Sequence, residues 1–211
     1  FPLRSSVKFL LFPRSKILIL GGIWSKHLLV NLIELCKSKY NKDLGKYYNE
    51  NVEKLMDITD VQMFWRTFNN IPKIYDIFSD GKTMKKMKRN NATPCAYSFF
   101  RSGIEPCWED SKNNTGFEFS IKNGKNLIKF HEEWLNCLLE IISNNNDIYK
   151  HINGIRIVDC TKFTSVLYRM EFWMDSMEIK NDIETALNND NFGLKNYKFM
   201  YRSHQNMKET V

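Results

Sequence analysis

Residues 97–119 read YSFFRSGIEPCWEDSKNNTGFEF. Apolar residues lead in as one strand, and Phe117, Phe119 and Ile121 alternate with Glu118 and Ser120 on the way out, as a second strand with one buried face. Between them, Pro106-Cys107-Trp108-Glu109-Asp110 sets an aromatic ring beside two carboxylates. A flat ring offers a stacking face. An ionised carboxylate only accepts hydrogen bonds, so it can take both hydrogens that guanine presents from N1 and N2, a pattern adenine lacks. Stacking plus edge reading is how unpaired bases are recognised. The ordinary alternative is a Trp anchoring a loop next to solvated charge.

Length and composition frame this stretch. The chain has 211 residues, 43% of them hydrophobic and 14% aromatic, which suits one domain with a continuous core. A net charge of +7 favours a polyanionic partner through long-range attraction, although the basic residues concentrate in loops such as 82–89. The five cysteines form no CxxC pair, so they are expected as free thiols in a reducing, cytoplasmic setting. They make no zinc-like spacing with the four histidines, and no metal or other cofactor is expected. The uncharged run over 17–25 is too short to span a bilayer, so no membrane association is expected. The first residue is Phe1 rather than Met, so residues upstream are expected to have been removed or omitted.

Upstream of the central stretch, Val7 to Phe12 is strand-like and Lys16 to Leu20 is a strand fragment. Leu28, Leu29, Leu32, Ile33 and Cys36 recur at helical spacing and predict an extra amphipathic helix. Thr59 caps the next helix, with Gln62 at the capping-box position and Val61, Phe64, Trp65 and Phe68 as its stripe; Pro72 stops it. The basic segment 79–94 reads as a solvated loop. Downstream, 126–143 is a helix whose stripe includes Trp134, Leu135, Leu138 and Leu139. Residues 154–163 and 165–173 form a hairpin, with Arg156, Val158, Cys160 and Lys162 on one face. Asp175 or Ser176 caps a last helix, and 197–202 is a closing strand.

The central block resembles the cap-binding loop of the translation initiation factor 4E family. The matching residues are Tyr97-Ser98, Gly103-Ile104-Glu105-Pro106, Trp108-Glu109-Asp110, Asn113 and Gly116, with Phe119 where the family has a Trp. Further matches keep the family's order: Pro2-Leu3, Val61 with Phe64-Trp65 and Asn69, Trp134-Leu135 with Leu138-Leu139, and Tyr201 with Ser203-His204. The resemblance implies an α+β domain spanning 1–211, a curved eight-stranded antiparallel sheet with helices on its convex face, carrying insertions at about 13–47 and 79–94. It also implies a monomer that binds capped messenger RNA. The 7-methylguanosine would be held between Trp108 and Tyr48, the latter reached by counting back from Val61 to the family's first stacking Trp. The methylated base is cationic, so the ring sandwich gains a cation–π contribution. Glu109 would read the guanine edge.

The family's phosphate-binding Arg falls on Cys160 and its nearby Lys on Ser165, so Lys162 and Arg169 are the nearest basic substitutes, with Lys208 as a third contact. The family's third pocket Trp falls on Arg169 or Met170. On the dorsal side, Pro2, Val61, Trp65, Leu135 and Leu139 would receive a helical peptide from a 4G-like scaffold or a 4E-binding repressor; the plain reading of Leu135 and Leu139 is core. No step breaks a bond, and no enzyme is expected: a hydrolase would need clustered carboxylates for a metal, or a nucleophile with a base. The competing reading is an interaction module of the same fold, a repressor or scaffold-binding homologue with weak or no cap binding.

Overall fold

The computed structural model describes residues 29–36, 52–78, 93–124, 126–143, 146–161 and 165–205. Among these, seven strands form one antiparallel sheet: β1 (Leu29–Cys36), β2 (Val52–Ile58), β3 (Thr93–Arg101), β4 (Phe117–Asn123), β5 (Ile152–Asp159), β6 (Tyr168–Met174) and β7 (Met200–Ser203). Their order across the sheet is β2-β1-β3-β5-β6-β4-β7. Four α-helices accompany them: α1 (Val61–Asn70), α2 (Ile74–Ile77), α3 (Leu127–Ser143) and α4 (Lys180–Leu187). The architecture is α+β as expected. The strand expected over 7–12 and the fragment at 16–20 lie outside the described residues.

The helix expected around Leu28 to Cys36 is corrected: this segment is β1, an inner strand paired with β2 on one side and β3 on the other. LVNLIELC is eight residues long, short for a helix, and carries β-branched Val30 and Ile33. Apolar residues at helical spacing do not exclude a strand when ladders on both edges decide the outcome. The segment lies within the stretch read as an insertion over 13–47.

Alternation along the strands sends one set of side chains toward the helices. Tyr97 and Phe99 of β3, Phe117, Phe119 and Ile121 of β4, Ile155 and Ile157 of β5, and Met170 and Phe172 of β6 join Phe64, Phe68, Trp134 and Leu138 in one core. Trp134 of α3 sits at its centre, stacked on Tyr97 at 6.0 Å and edge-on to Phe99 at 5.4 Å. Leu135 and Leu139 are each only 6% exposed and belong to this core.

Helix ends differ by small steps from expectation, each with a visible cause. Asp60, not Thr59, caps α1: its carboxylate accepts from Met63 N at 2.7 Å, while the Thr59 hydroxyl donates to the Asp60 carboxylate at 3.1 Å. The last helix begins at Lys180 instead of near Asp175, because Asp175 is engaged by His151 at 3.0 Å and Ser176 accepts from Glu178 N in a separate turn. The β5–β6 hairpin is shorter than read, since Thr161 Oγ1 accepts from Leu167 N at 3.2 Å and closes the connection with a side chain. Cys95 is engaged in a disulfide, whereas Cys107, Cys137 and Cys160 keep reduced thiols, so the expectation that none of the five cysteines is oxidised is corrected at Cys95. Spacing along a sequence does not say which cysteines a fold brings together.

Candidate functional site

The loop between β3 and β4 is built around Asn113, which is fully buried. Its side-chain amide donates to the carbonyls of Glu105 at 2.7 Å and Cys107 at 2.9 Å. Its side-chain oxygen accepts from Asn153 at 2.9 Å, and its backbone carbonyl meets His204 Nδ1 at 2.7 Å. The second brace is Asp110, whose two carboxylate oxygens accept from Glu105 N and Lys112 N, each at 2.8 Å. Gly103 has φ +80°, the left-handed conformation that glycine adopts without strain, and turns the chain out of β3. Arg101, at the end of β3, donates to the carbonyls of Ile152 and Tyr149, each at 2.8 Å, and fixes the loop's root.

These bonds hold the backbone on both sides of Trp108 and Glu109 and leave those two side chains uncommitted. Trp108 is half-buried and Glu109 is exposed. The paired carboxylates of the sequence motif therefore divide their work. Asp110 is spent on shaping the loop, and Glu109 accepts no hydrogen bond from the described residues. Cys107 beside them is a poor nucleophile, its thiol pushed up to about 11 by burial and by nearby carboxylates.

The sheet face away from the helices carries a cluster of charge. Across the strands, Phe100 pairs with Gly154, Gly154 with Trp173, Trp173 with Glu118, and Glu118 with Arg202. In the next row Ser98 pairs with Arg156 and Arg156 with Glu171. Only glycine fits at 154, because a Cβ there would lie 2.4 Å from the Phe100 ring. Trp173 packs on His204 at 4.6 Å and donates to the Glu171 carboxylate at 2.9 Å. Arg169 donates to Glu171 at 2.6 Å, and Arg156 approaches it to 3.6 Å. Burial raises the Glu171 carboxyl, but Arg156, Arg169 and the Trp173 N–H together hold it below the ordinary carboxylate value. Glu118 is 1% exposed with no hydrogen bond to Oε1; burial and the Glu171 charge push it up to about 7 against the pull of Arg202.

Glu118 and Ser120 were expected opposite the buried face of their strand, and both are buried. The burial follows from cross-strand register, which places arginines of β5, β6 and β7 over β4's second face. Of the residues assigned to phosphates, Arg169 lies in this cluster, paired with Glu171. Lys162 and Lys208 lie outside the described residues, as do the stacking candidate Tyr48 and the dorsal candidate Pro2. Cys160, at the family's Arg position, is half-buried just past β5.

On the helical side, Val61 and Trp65 are half-buried on α1, and the Trp65 ring stands edge-on to Phe64 at 5.3 Å. Beside α1 a cleft of about 490 Å³ opens between the helix and β2, lined by Leu55, Met63, Ile71 and Pro72 among others. The hydroxyls of Thr67 and Tyr97, two more of its lining residues, have no hydrogen-bond partner. Among the described residues no cluster of metal-ligating side chains occurs, and no helix is long and apolar enough to cross a membrane.

Comparison with known proteins bears on this arrangement. Residues 29–210 match the family model described as Eukaryotic initiation factor 4E. Human eukaryotic translation initiation factor 4E is 30% identical over 115 residues, covering 52% of this chain and 45% of the human protein. Eukaryotic translation initiation factor 4E-1 of Schizosaccharomyces pombe is 28% identical over 155 residues, 68% of this chain and 62% of that protein. The human alignment thus spans about half the length of that relative. Among solved structures, Ascaris suum eIF4E-3 with m7G cap superposes with a TM-score of 0.66 at 17% identity, covering 86% of this chain and 92% of that one. Caenorhabditis elegans eIF4E-3 with the 4E-binding protein Mextli and a cap analog gives 0.65 at 16% identity, covering 88% and 95%. These two likenesses establish the fold. With a family model that spans the sheet, the braced loop and the closing strand, the chain belongs to the eukaryotic initiation factor 4E family.

Proposed function

We propose that this protein binds the 7-methylguanosine cap of messenger RNA, in translation initiation or its control. The observation that carries the reading is the loop of residues 102–116, which Asn113 and Asp110 brace so that a half-buried Trp108 and an exposed, uncommitted Glu109 stand side by side. Trp108 supplies one stacking face and Tyr48 the other, while Glu109 accepts from guanine N1 and N2. The positive charge of the methylated base compensates the carboxylate as water is excluded. Lys162, Arg169 and Lys208 remain the sequence-derived candidates for the phosphates. The two superposing nematode proteins are complexes with m7G cap or a cap analog, which agrees with this ligand class. Binding is non-covalent, and the protein acts as a cytoplasmic monomer.

Tryptophan fluorescence during titration with a cap analogue tests the reading. Saturable quenching is expected, and Glu109→Ala should abolish it without shifting the melting temperature. Unchanged affinity in that variant would rule Glu109 out as the reader of the guanine edge.

A second interaction is favoured by the half-buried Trp65 and the apolar cleft beside α1. We assign this side to a 4E-binding peptide or 4G-like scaffold, with Val61 and Trp65 as its accessible contacts. Leu135 and Leu139, being core residues, act there only through packing. If caps fail to bind while such a peptide does, the protein is the interaction module of the competing reading.

A further inference from the structure

His204 stands immediately beyond β7 and is fully buried. Its main chain and its ring close the same turn of the Trp108 loop. The backbone N–H donates to the Gly116 carbonyl at 3.1 Å, and ring Nδ1 lies 2.7 Å from the Asn113 carbonyl, which also accepts from Gly116 N at 2.9 Å. Gly116 in turn lies so close against the end of β6 that a Cβ there would come within 1.8 Å of the Met174 carbonyl oxygen. The exit of the loop is therefore gripped both from β6 and from the residue that follows β7.

A carbonyl oxygen has no hydrogen to give, so Nδ1 must carry it, and Nε2 is the bare nitrogen of the neutral ring. Nε2 is buried without a hydrogen-bond partner among the described residues. Trp173 packs on the ring at 4.6 Å, but its N–H is already given to Glu171. The charged groups facing the ring are Glu171 of β6 and Arg202 of β7, and burial outweighs the pull of the Asn113 bond and of Glu171 to keep the ring neutral. The other tautomer would set a lone pair against the Asn113 carbonyl, so one arrangement of the ring satisfies this place. We propose that His204, held as its Nδ1–H tautomer, is a positioning residue for the loop that presents Trp108 and Glu109.

Its consequence for function rests on the cap-binding reading above and deepens it, whereas the clamp itself is independent of that reading. Being fully buried, His204 touches no ligand. It acts through Asn113, whose side-chain amide holds the Glu105 and Cys107 carbonyls at 2.7 and 2.9 Å, just ahead of Trp108. Fastening the Asn113 carbonyl to the closing strand keeps ring and carboxylate in one arrangement before any base arrives. Whatever lowers the population of that arrangement weakens the apparent affinity in proportion.

Nitrogen NMR of the isotopically labelled, unliganded full chain should show His204 protonated at Nδ1 at neutral pH. Protonation at Nε2 instead would overturn the proposal, and this measurement does not depend on whether any variant folds. His204→Leu keeps bulk against Trp173 and removes the donor, whereas His204→Asn offers an amide N–H near the place of Nδ1 with a smaller contact. His204→Leu should bind 7-methylguanosine triphosphate about tenfold more weakly, the worth of one hydrogen bond, read by tryptophan quenching. His204→Asn should bind it more tightly than His204→Leu does; the reverse order would show that packing on Trp173 matters and the donor does not. Hydrogen exchange in His204→Leu should quicken at the amides of Cys107, Asn113 and Gly116 and stay unchanged at Phe119 and Phe172 of the sheet. Uniform quickening, no quickening, or unaltered affinity would each overturn the positioning role while leaving the cap reading in place. Absence of quenching in the parent chain would bring down the cap reading, and the NMR and exchange measurements would still decide the clamp by themselves.

Discussion

Each polar group of the Asn113 side chain ties backbone or side chain from a different part of the chain: the carbonyls of Glu105 and Cys107 within the loop, and Asn153 at the start of β5. Removing it takes the shared donor from the Glu105 and Cys107 carbonyls and one acceptor from the buried Asn153 amide, at about 1–3 kcal/mol for each group left buried and unsatisfied. Asn113→Ala should accordingly lower the melting temperature and weaken cap binding together, read by thermal unfolding and by fluorescence titration on one preparation. Glu109→Ala should separate the two, because Glu109 is exposed and bonded to none of the described residues. An Asn113→Ala protein with an unaltered melting temperature would show that the loop is held by something else. At this scale the sequence displayed Trp108 and Glu109 plainly, since a ring beside an acid is a local pattern. It did not display the division of labour between Glu109 and Asp110, since both carboxylates are close enough along the chain to the Glu105 and Lys112 amides and only the loop's conformation chooses Asp110; nor did it display the work of Asn113, whose partners lie up to 91 residues away.

Among the elements, α1 was the most legible, its stripe and its stop at Pro72 placing it over 61–70. The cap moved by one residue because Thr59 and Asp60 are both good caps and only geometry chooses between them. Asp60→Ala should destabilise the protein measurably, and Thr59→Ala clearly less, since Thr59 merely supports the Asp60 carboxylate. Urea unfolding of the two variants checks the order; a larger loss at Thr59 would return the cap to it. The same helix carries Trp65, and Trp65→Ala should leave cap affinity intact while weakening a 4E-binding peptide, measured by pull-down or polarisation. β1 was the least legible element. Its apolar residues fit a helical stripe, and the information that it lies between β2 and β3 resides in those two strands rather than in the segment. The charge cluster escaped for a related reason. Arg156, Glu171, Glu118 and Arg202 meet only through register across β5, β6, β4 and β7.

For the molecule as a whole, two buried groups give pH effects of opposite sign. Glu118 titrates at about 7 in the fold against an ordinary 4.5, so between those values the folded chain holds a proton that the unfolded chain has released. Its contribution to stability is greatest at the acid end of that window and declines as pH rises through it. His131 behaves in the reverse way. Burial, and then the charge of Lys73, push it down to about 4 from 6.5, with Asp76 pulling weakly the other way. The ring stacks on Phe68 at 5.3 Å, stands edge-on to Tyr75, and has an Nδ1 with no hydrogen-bond partner. The folded chain excludes a proton that the unfolded chain accepts, so the contribution of His131 is complete above about 6.5 and is lost as pH falls toward 4. Its size is bounded at roughly 3 kcal/mol by the width of that window. His131→Leu removes the titration and also the unpartnered polar atom, and an apolar group of similar size in such a site is often close to neutral in stability. Urea midpoints across this range should therefore show the variant near the parent at pH 7 and more stable than it at pH 5. Parallel pH profiles for the two proteins would mean that His131 accepts its proton without leaving the fold, and that the stack on Phe68 opens before the core does.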